Sequence, residues 1–313
     1  MGYWHDGSPE TNERLEEIAE LYLLCRDTFH DVSSQFRWLP QPGSPAAIDA
    51  EMMPSPDPLL EAAPGETGHR LIVEVVQTYL LTASGHMGGL AALYSSGEVF
   101  FSPPALIRAV IENCAHALWV LGDDSDEPPE NRLARAYAED LLSAEEAKKN
   151  AGRMRLKTHP TYDAAKETYT EIKRQIQTRF PTTDNVALGK HIVNGQALLG
   201  PEATVAWMYD LTERSGGTIS VRAGIGVYGF LSNLTHPTLY PARQMRSWVV
   251  DPGTGFNIAN LRLDMDFVEN QARAALAAFY NALTYVTSYF GWSTAPIEAL
   301  ATKIEARMPT FFI

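Results

Sequence analysis

The sequence predicts a mainly α protein, a multi-helix bundle with one short β-hairpin near residues 246–260. Apolar residues recur every three to four positions along most of the 313-residue chain, the spacing of a helix with one buried face. One segment breaks this period with β-branched and aromatic residues around a turn. Strand patterns do not alternate with helices, so a dinucleotide-binding sheet is not expected.

The first predicted helix spans residues 8–36. Ser8 or Thr11 is its candidate N-cap, and acidic residues fill its first turn. The proline- and alanine-rich residues 39–66 follow and predict a long loop. A loop of that length without internal structure is typical of a surface arm or a cover.

We therefore divide the chain into an N-terminal helix and long loop arm, residues 1–66, and a helical bundle domain, residues 67–313. The two halves of the bundle domain, 67–155 and 156–313, are expected to share one core. Helical patterns are predicted over residues 68–97, 102–122, 132–155, 163–180, 182–200, 201–217, 218–236, 264–292 and 294–308.

The predicted hairpin lies within "MRSWVVDPGTGFNIANLRL", where strand-forming residues flank Asp-Pro-Gly-Thr-Gly. Just before it, Gly224, Gly226 and Gly229 fall within one predicted helix. Their spacing lets another helix approach closely, so we expect them to serve packing.

The chain carries a net charge of −13 and has a pI near 5.1. A protein that grips nucleic acid mainly through phosphates needs a concentrated basic face. We therefore do not expect a general polyanion binder, although a local basic groove stays open as an interpretation.

The two cysteines, Cys25 and Cys114, lie far apart in apolar helical patterns without a CxxC spacing. We expect buried, reduced thiols, which fit a cytoplasmic protein. No apolar run reaches the roughly 18 residues of a membrane span, and the polar N-terminus does not resemble a secretory signal. No metal or cofactor is predicted.

A polar stripe is predicted on the third predicted helix of the chain, residues 102–122. Arg108, Glu112 and His116 follow one another at i, i+4 steps and share a face. An antiparallel neighbour would bring Arg132 close to His116. Such a cluster suits a phosphate ligand or a histidine with a shifted pKa. The alternative is a set of ion pairs that only locks the bundle.

Three segments carry a family resemblance: "SPPALIRAVIENCAHALWVLG", "NRLARAYAEDLL" and "YGFLSNLTHPTLY". They resemble a group of actinobacterial helical proteins, which in turn resemble the DUF5677-like and abortive-infection-like branches of the HEPN superfamily. The resemblance covers less than half of the chain. It implies a helical bundle, frequently a dimer. In active members an arginine and a histidine, about four to six residues apart, cut RNA or support nucleotidyl transfer.

The resemblance implies an intracellular HEPN-like protein of defence or regulatory type that acts on or binds RNA or nucleotides. His236 matches the family histidine, and Ser232 and Asn233 match the small polar residues before it. No arginine precedes His236 at the family spacing, so Arg108 or Arg132 from another helix is the candidate replacement. The site is expected where Ser232 and His236 meet the stripe.

His236 is predicted to end its helix, because Pro237 disfavours an α conformation for the residue before it. The helix dipole favours a charged imidazole there. A histidine in this position can donate a proton, bind phosphate or cap the helix, and the sequence leaves these alternatives open.

Two other function classes stay open. The first is a non-catalytic dimerisation or partner-binding helical module. The second is a magnesium-dependent enzyme similar to terpene cyclases, in which Asp123, Asp124 and Glu127 of the "DDSDE" turn would hold the metal. The second metal motif of that family is not found in the C-terminal half, and a solvated acidic turn is the simpler interpretation.

Overall fold

A computed structural model describes residues 2–4, 8–53, 67–123, 127–217, 219–236, 239, 242–243, 245–262 and 264–312. These residues form a mainly α protein, as predicted. The helices are α1 (Pro9–Phe36), α2 (Pro45–Met52), α3 (Arg70–Ser95), α4 (Pro103–Leu121), α5 (Pro129–Met154), α6 (Pro160–Arg179), α7 (Asn185–Leu188), α8 (Pro201–Arg214), α9 (Val221–Thr235), α10 (Met265–Phe290) and α11 (Ala295–Arg307). No helix in the described part of the chain is both long and apolar enough to cross a membrane.

The predicted hairpin is confirmed. Strands β4 (Arg246–Val250) and β5 (Asn257–Arg262) pair antiparallel. Strand β1 (Gly2–Trp4), which was not predicted, pairs in parallel with β5 and gives the strand order β1-β5-β4. The paired residues are more than 250 positions apart in the sequence, so local sequence carries no signal for this pairing.

Helix α4 lies at the centre of the bundle and packs against α3, α8, α9 and α10. Apolar side chains on all its sides are buried, including Ile107, Val110, Ile111, Leu118 and Val120. A helix that is apolar around its whole circumference belongs in the interior. Polar side chains on α4 such as Arg108 and His116 therefore contact neighbouring helices.

Helix α1 shares this core. Ile18, Tyr22 and Cys25 are fully buried, and the helix packs against α3 and α10. Cys114 of α4 is also buried, and neither cysteine forms a disulfide, as expected. Burial raises the pKa of both thiols above the ordinary value. The boundary at residue 66 stays a prediction, but α1 packs as part of the bundle rather than as an arm.

The predicted loop over residues 39–66 is wrong in part, because residues 45–52 form α2. The Ser44 hydroxyl accepts a hydrogen bond from the backbone N–H of Ala47 at 3.1 Å, and Pro45 occupies the first turn. Serine followed by proline is a helix start signal that the overall composition of the segment obscured. Residues 54–66 lie outside the described residues.

The helix predicted over residues 182–200 is also wrong. After the single turn of α7, strands β2 (Ile192–Val193) and β3 (Gln196–Ala197) form a tight antiparallel hairpin. Asn194 and Gly195 connect them with φ angles of 48° and 78°. Both residues of a type I′ turn need positive φ, and the Asn-Gly pair between β-branched and polar residues was the signal for it.

Of the three glycines of α9 that were expected to serve packing, only Gly224 lies against a neighbouring helix. A Cβ atom at Gly224 would overlap the ring of Tyr209 on α8, whereas one at Gly226 or Gly229 would meet no atom within 4 Å. The close approach of α8 and α9 therefore depends on Gly224.

Candidate functional site

The end of α9 is tied to α4 by four residues that we call the Arg108 cluster. Arg108 donates from Nε to Glu112 at 2.8 Å, from Nη2 to the Tyr228 hydroxyl at 3.3 Å and from Nη1 to the Thr235 hydroxyl at 3.1 Å. The Tyr228 hydroxyl in turn donates to Glu112 at 2.6 Å. The fold therefore brings the predicted Arg108–Glu112 pair to the helix that carries Ser232 and His236.

The Arg108 cluster is only partly enclosed. The Arg108 and Glu112 side chains are 23% and 26% exposed. Burial lowers the pKa of Arg108, but the Glu112 carboxylate and the Tyr228 hydroxyl raise it by more, so the guanidinium stays charged. Burial and the bond to Glu112 raise the pKa of Tyr228 to about 12. The cluster is therefore a charged, accessible group of donors and acceptors.

His236 ends α9, as predicted. Its backbone is extended, with φ −96° and ψ 154°, and its N–H donates to the Ser232 carbonyl at 3.2 Å. The His236 side chain is exposed, Ser232 is half-buried and Asn233 is exposed. The residue next to His236, Thr235, is the one bound to Arg108. Pro237 lies outside the described residues.

Farther along the same face of α4, His116, Glu139 of α5 and Tyr79 of α3 form the His116 cluster. Glu139 is bonded at 2.5 Å to Nδ1 of His116 and at 2.6 Å to the Tyr79 hydroxyl, which donates to it. The Glu139 side chain is 2% exposed and that of His116 is 14% exposed. A buried carboxylate on one ring nitrogen orients the imidazole and leaves Nε2 for other partners.

The two clusters are separate sites. Arg108 and His116 are eight residues apart on one helix, which is roughly 12 Å along its axis. The two side chains bond different helices, since Arg108 bonds Tyr228 and Thr235 of α9 and His116 bonds Glu139 of α5. Of the candidate site residues, Arg108 and Glu112 therefore contact α9, which carries Ser232 and Asn233 and which His236 ends, whereas His116 contacts α5.

Arg132 does not pair with His116, in contrast to the prediction. Its Nε donates to the Leu121 carbonyl at 2.7 Å, and its Nη1 lies 3.2 Å from Oδ1 of Asp49. The antiparallel arrangement of α4 and α5 places Glu139, two turns farther along α5, opposite His116, while Arg132 sits over the end of α4.

Arg132 belongs to a buried group, the Arg132 cluster, whose other members are Asp49, His69 and Tyr289. The Tyr289 hydroxyl donates to Asp49 at 2.6 Å and lies 2.8 Å from Nε2 of His69. Because the tyrosine proton goes to Asp49, Nε2 of neutral His69 donates to the tyrosine oxygen. Sequence analysis missed Asp49, His69 and Tyr289, since they lie on three distant segments.

Arg132 and two neighbouring side chains donate hydrogen bonds to the carbonyl groups at the end of α4. Its last carbonyls, of Val120, Leu121 and Gly122, accept hydrogen bonds from Arg135, Arg132 and Tyr285. A helix C-terminus leaves four carbonyls without intrahelical partners, and these are out of reach of water. Arg132 is therefore a structural cation at a buried helix end.

The acidic turn offers little to a metal in the part that the structure describes. Both oxygens of Glu127 accept from Arg135, at 2.8 and 2.5 Å, and Asp123 pairs with Arg214 at 3.1 Å. Asp124 lies outside the described residues. Among the residues described, no three His, Cys, Asp or Glu side chains group as metal ligands.

Folding stability is expected to fall as the pH is lowered from 6.5 toward 4, because of His69. Burial and the charge of Arg132 lower its pKa to about 4 from 6.5, so the unfolded chain takes up the proton first. By linkage, His69 alone costs about 2 kcal/mol at pH 5 relative to pH 7. Urea denaturation at both pH values measures the change.

The matched variant is His69→Gln, whose amide nitrogen replaces Nε2 without titrating. It should lose less stability than the wild type between pH 7 and 5. Burial raises the pKa of Asp49, which favours the folded state at low pH and opposes the His69 effect in both proteins. An equal pH dependence in the two proteins would contradict the assignment to His69.

Comparison of the chain with protein-family models, with curated proteins and with solved structures finds no match.

Proposed function

We propose that the chain is an intracellular HEPN-like helical protein of defence or regulatory type that binds and cleaves RNA, or acts on a nucleotide, at the Arg108 cluster. The observation that carries this proposal is the bond from Arg108 to Thr235, the residue before His236. In this proposal Arg108 of α4 takes the place of the arginine that the family has before its histidine.

The donors of Arg108 support a phosphate ligand. A guanidinium has five N–H donors, and three different N–H groups of Arg108 bond Glu112, Tyr228 and Thr235. Two donors remain for a phosphate oxygen. Because the guanidinium is held by three partners, it would need little reorganisation when charge develops on the phosphate.

In this proposal His236 transfers the proton. Cleavage of RNA at a 2′-hydroxyl needs a base for that hydroxyl and an acid for the leaving 5′-oxygen. An exposed imidazole at a helix end can exchange protons with solvent between the two steps. Arg108 would stabilise the added negative charge on the phosphate in between.

The net charge of the chain limits the number of phosphates that it is expected to contact. With a net charge of −13 and one arginine in the cluster, contact is expected with one or two phosphates. Affinity should then fall only weakly with salt, since the slope follows the number of phosphates neutralised.

RNA degradation by the purified protein tests the proposal. His236→Ala should abolish it and leave the melting temperature unchanged, because the side chain is exposed. His159→Ala, at another exposed histidine that starts α6, is the matched control and should stay active. Protein purified identically with His236→Ala also controls for contaminating nucleases.

Two outcomes of the RNA degradation assay would contradict the catalytic proposal. If wild-type protein and the His236→Ala variant degrade RNA at the same rate, or neither does, the catalytic proposal is wrong. A loss of about 1 to 3 kcal/mol in His236→Ala without RNA degradation would instead indicate a histidine that locks the bundle.

A partner-binding module, including a homodimer, is the second candidate function. The hairpin favours it, because Trp248 and Val250, which share one face of β4, are each 59% exposed. Exposed apolar side chains that lie next to each other are typical of interaction surfaces. Sedimentation at rising protein concentration distinguishes a dimer from a monomer, and Trp248→Ser should weaken any dimer built on this hairpin.

A further inference from the structure

A cleft of about 480 Å³ opens between the turn after α8, the face of α10 and the C-terminal residues. This volume lies within the range of small-molecule sites, roughly 300 to 1,000 Å³. The residues that line the cleft include Arg273, Ala277, Tyr280, Asn281, Thr310 and Phe312. None of them belongs to the three clusters described above.

The C-terminal wall of the cleft is anchored. The Glu305 carboxylate accepts from the backbone N–H groups of Thr310 at 2.9 Å and Phe311 at 3.1 Å. Arg273 donates from Nη2 to the Pro309 carbonyl at 3.1 Å. Three hydrogen bonds to side chains on two helices hold residues 309–311 in place.

This wall also carries backbone strain. Thr310 has a φ of 65°, which is unfavourable for a β-branched residue. Such conformations persist where surrounding contacts impose them, and they concentrate at ligand clamps. The bonds from Glu305 to the Thr310 and Phe311 amides are those contacts.

Aromatic rings line one side of the cleft. The rings of Tyr280 and Phe312 lie 5.0 Å apart at 59°, and Phe311 meets Phe312 at 4.8 Å and 74°. Phe312 remains 37% exposed. A planar ligand ring can stack on the Tyr280 and Phe312 rings, with ring centroids at the separation that aromatic pairs prefer.

The cleft has few polar side chains, and they include one cation and two hydrogen-bonding groups. Arg273 is the charged side chain of the lining, and the nearest carboxylate on its helix, Glu269, is bound to Arg14 at 2.6 Å. Within the described residues, the Asn281 amide and the Tyr280 hydroxyl make no hydrogen bond to protein. The cleft is therefore lined by the Arg273 guanidinium, and the Asn281 amide and the Tyr280 hydroxyl can form hydrogen bonds to a ligand there.

We propose that this cleft binds a small planar aromatic anion. The ring lies against Tyr280 and Phe312, its anionic group meets Arg273, and its nitrogen or hydroxyl edge bonds Asn281. This inference does not rest on the function proposed for the Arg108 cluster. A purine mononucleotide and an aryl carboxylate share this chemistry, and the test distinguishes them.

Isothermal titration calorimetry with AMP and with indole-3-acetate tests the proposal on the full chain. At least one probe should bind with a Kd below about 1 mM, and which probe binds identifies the source of the ligand. Arg273→Gln should weaken binding by about tenfold or more, and Arg273→Lys by less, because it keeps the charge.

Ala277→Trp should abolish binding, since the new ring fills the cleft. Leu156→Trp adds the same ring at a side chain that is 80% exposed and outside the cleft, and it should bind as the wild type does. If Ala277→Trp does not fold, Asn281→Leu takes its place, with an expected loss of about tenfold. No binding of either probe to wild type, or unchanged binding in the folded cleft variants, overturns the proposal.

Discussion

Replacing Arg132 by alanine is expected to lower the free energy of unfolding by about 3 to 5 kcal/mol. The Arg132 side chain is 2% exposed and that of its partner Asp49 is 3% exposed. Alanine would leave the Asp49 carboxylate buried without its cation and the Leu121 carbonyl without its donor. Removing one member of a buried ion pair costs more than the pair contributes, because an isolated charge cannot be hydrated there.

Urea denaturation of wild type and Arg132→Ala measures this loss. The double variant Asp49→Leu with Arg132→Met is the control, because it removes both charges and keeps apolar volume. It should recover part of the lost stability. A loss below about 1 kcal/mol in Arg132→Ala would mean that water or another cation reaches Asp49, and the structural role assigned to Arg132 would be wrong.

Gly122→Ala is expected to cost about 3 to 4 kcal/mol. Gly122 ends α4 with φ 80° and ψ −178°, a conformation that is essentially restricted to glycine. A Cβ atom there would also overlap the Glu127 carboxylate and the Arg135 guanidinium. Those groups cannot simply turn away, because they pair with each other and Arg135 also bonds Gln196 at 3.0 Å.

Gly43→Ala separates the two causes. Gly43 has a φ of 78° but no atom within 4 Å of an added Cβ, so it shares the positive φ without the collision. Its expected cost is about 1 kcal/mol. Equal losses in Gly122→Ala and Gly43→Ala, measured by thermal and urea unfolding, would show that the Glu127–Arg135 pair yields freely and that only strain matters.

Local signals predicted most of the helices. Ser8 caps α1 by accepting from the Thr11 N–H at 3.1 Å, and the proline in the first turn of α4 starts that helix where the sequence placed it. Two segments were predicted wrongly because their overall composition hid a two-residue signal. Ser44-Pro45 started a helix inside a presumed loop, and Asn194-Gly195 formed a hairpin inside a presumed helix.

The candidate site was predicted in part. The i, i+4 step that joins Arg108 to Glu112 is a property of one helix, so the sequence contains it. Thr235 and Tyr228, which complete the Arg108 cluster, are more than a hundred residues away. Glu139 took the place expected for Arg132 beside His116, because helix pairing sets which turn of α5 faces which turn of α4.

Turns, caps and apolar spacing act over a few residues, so local sequence specifies the helical class, the confirmed hairpin and the helix that His236 ends. Which polar groups meet depends on how distant helices pack together. Asp49, His69, Arg132 and Tyr289 come from four helices or their ends. They are adjacent because burying the apolar faces of those helices together is what stabilises the chain. No local pattern specifies that arrangement.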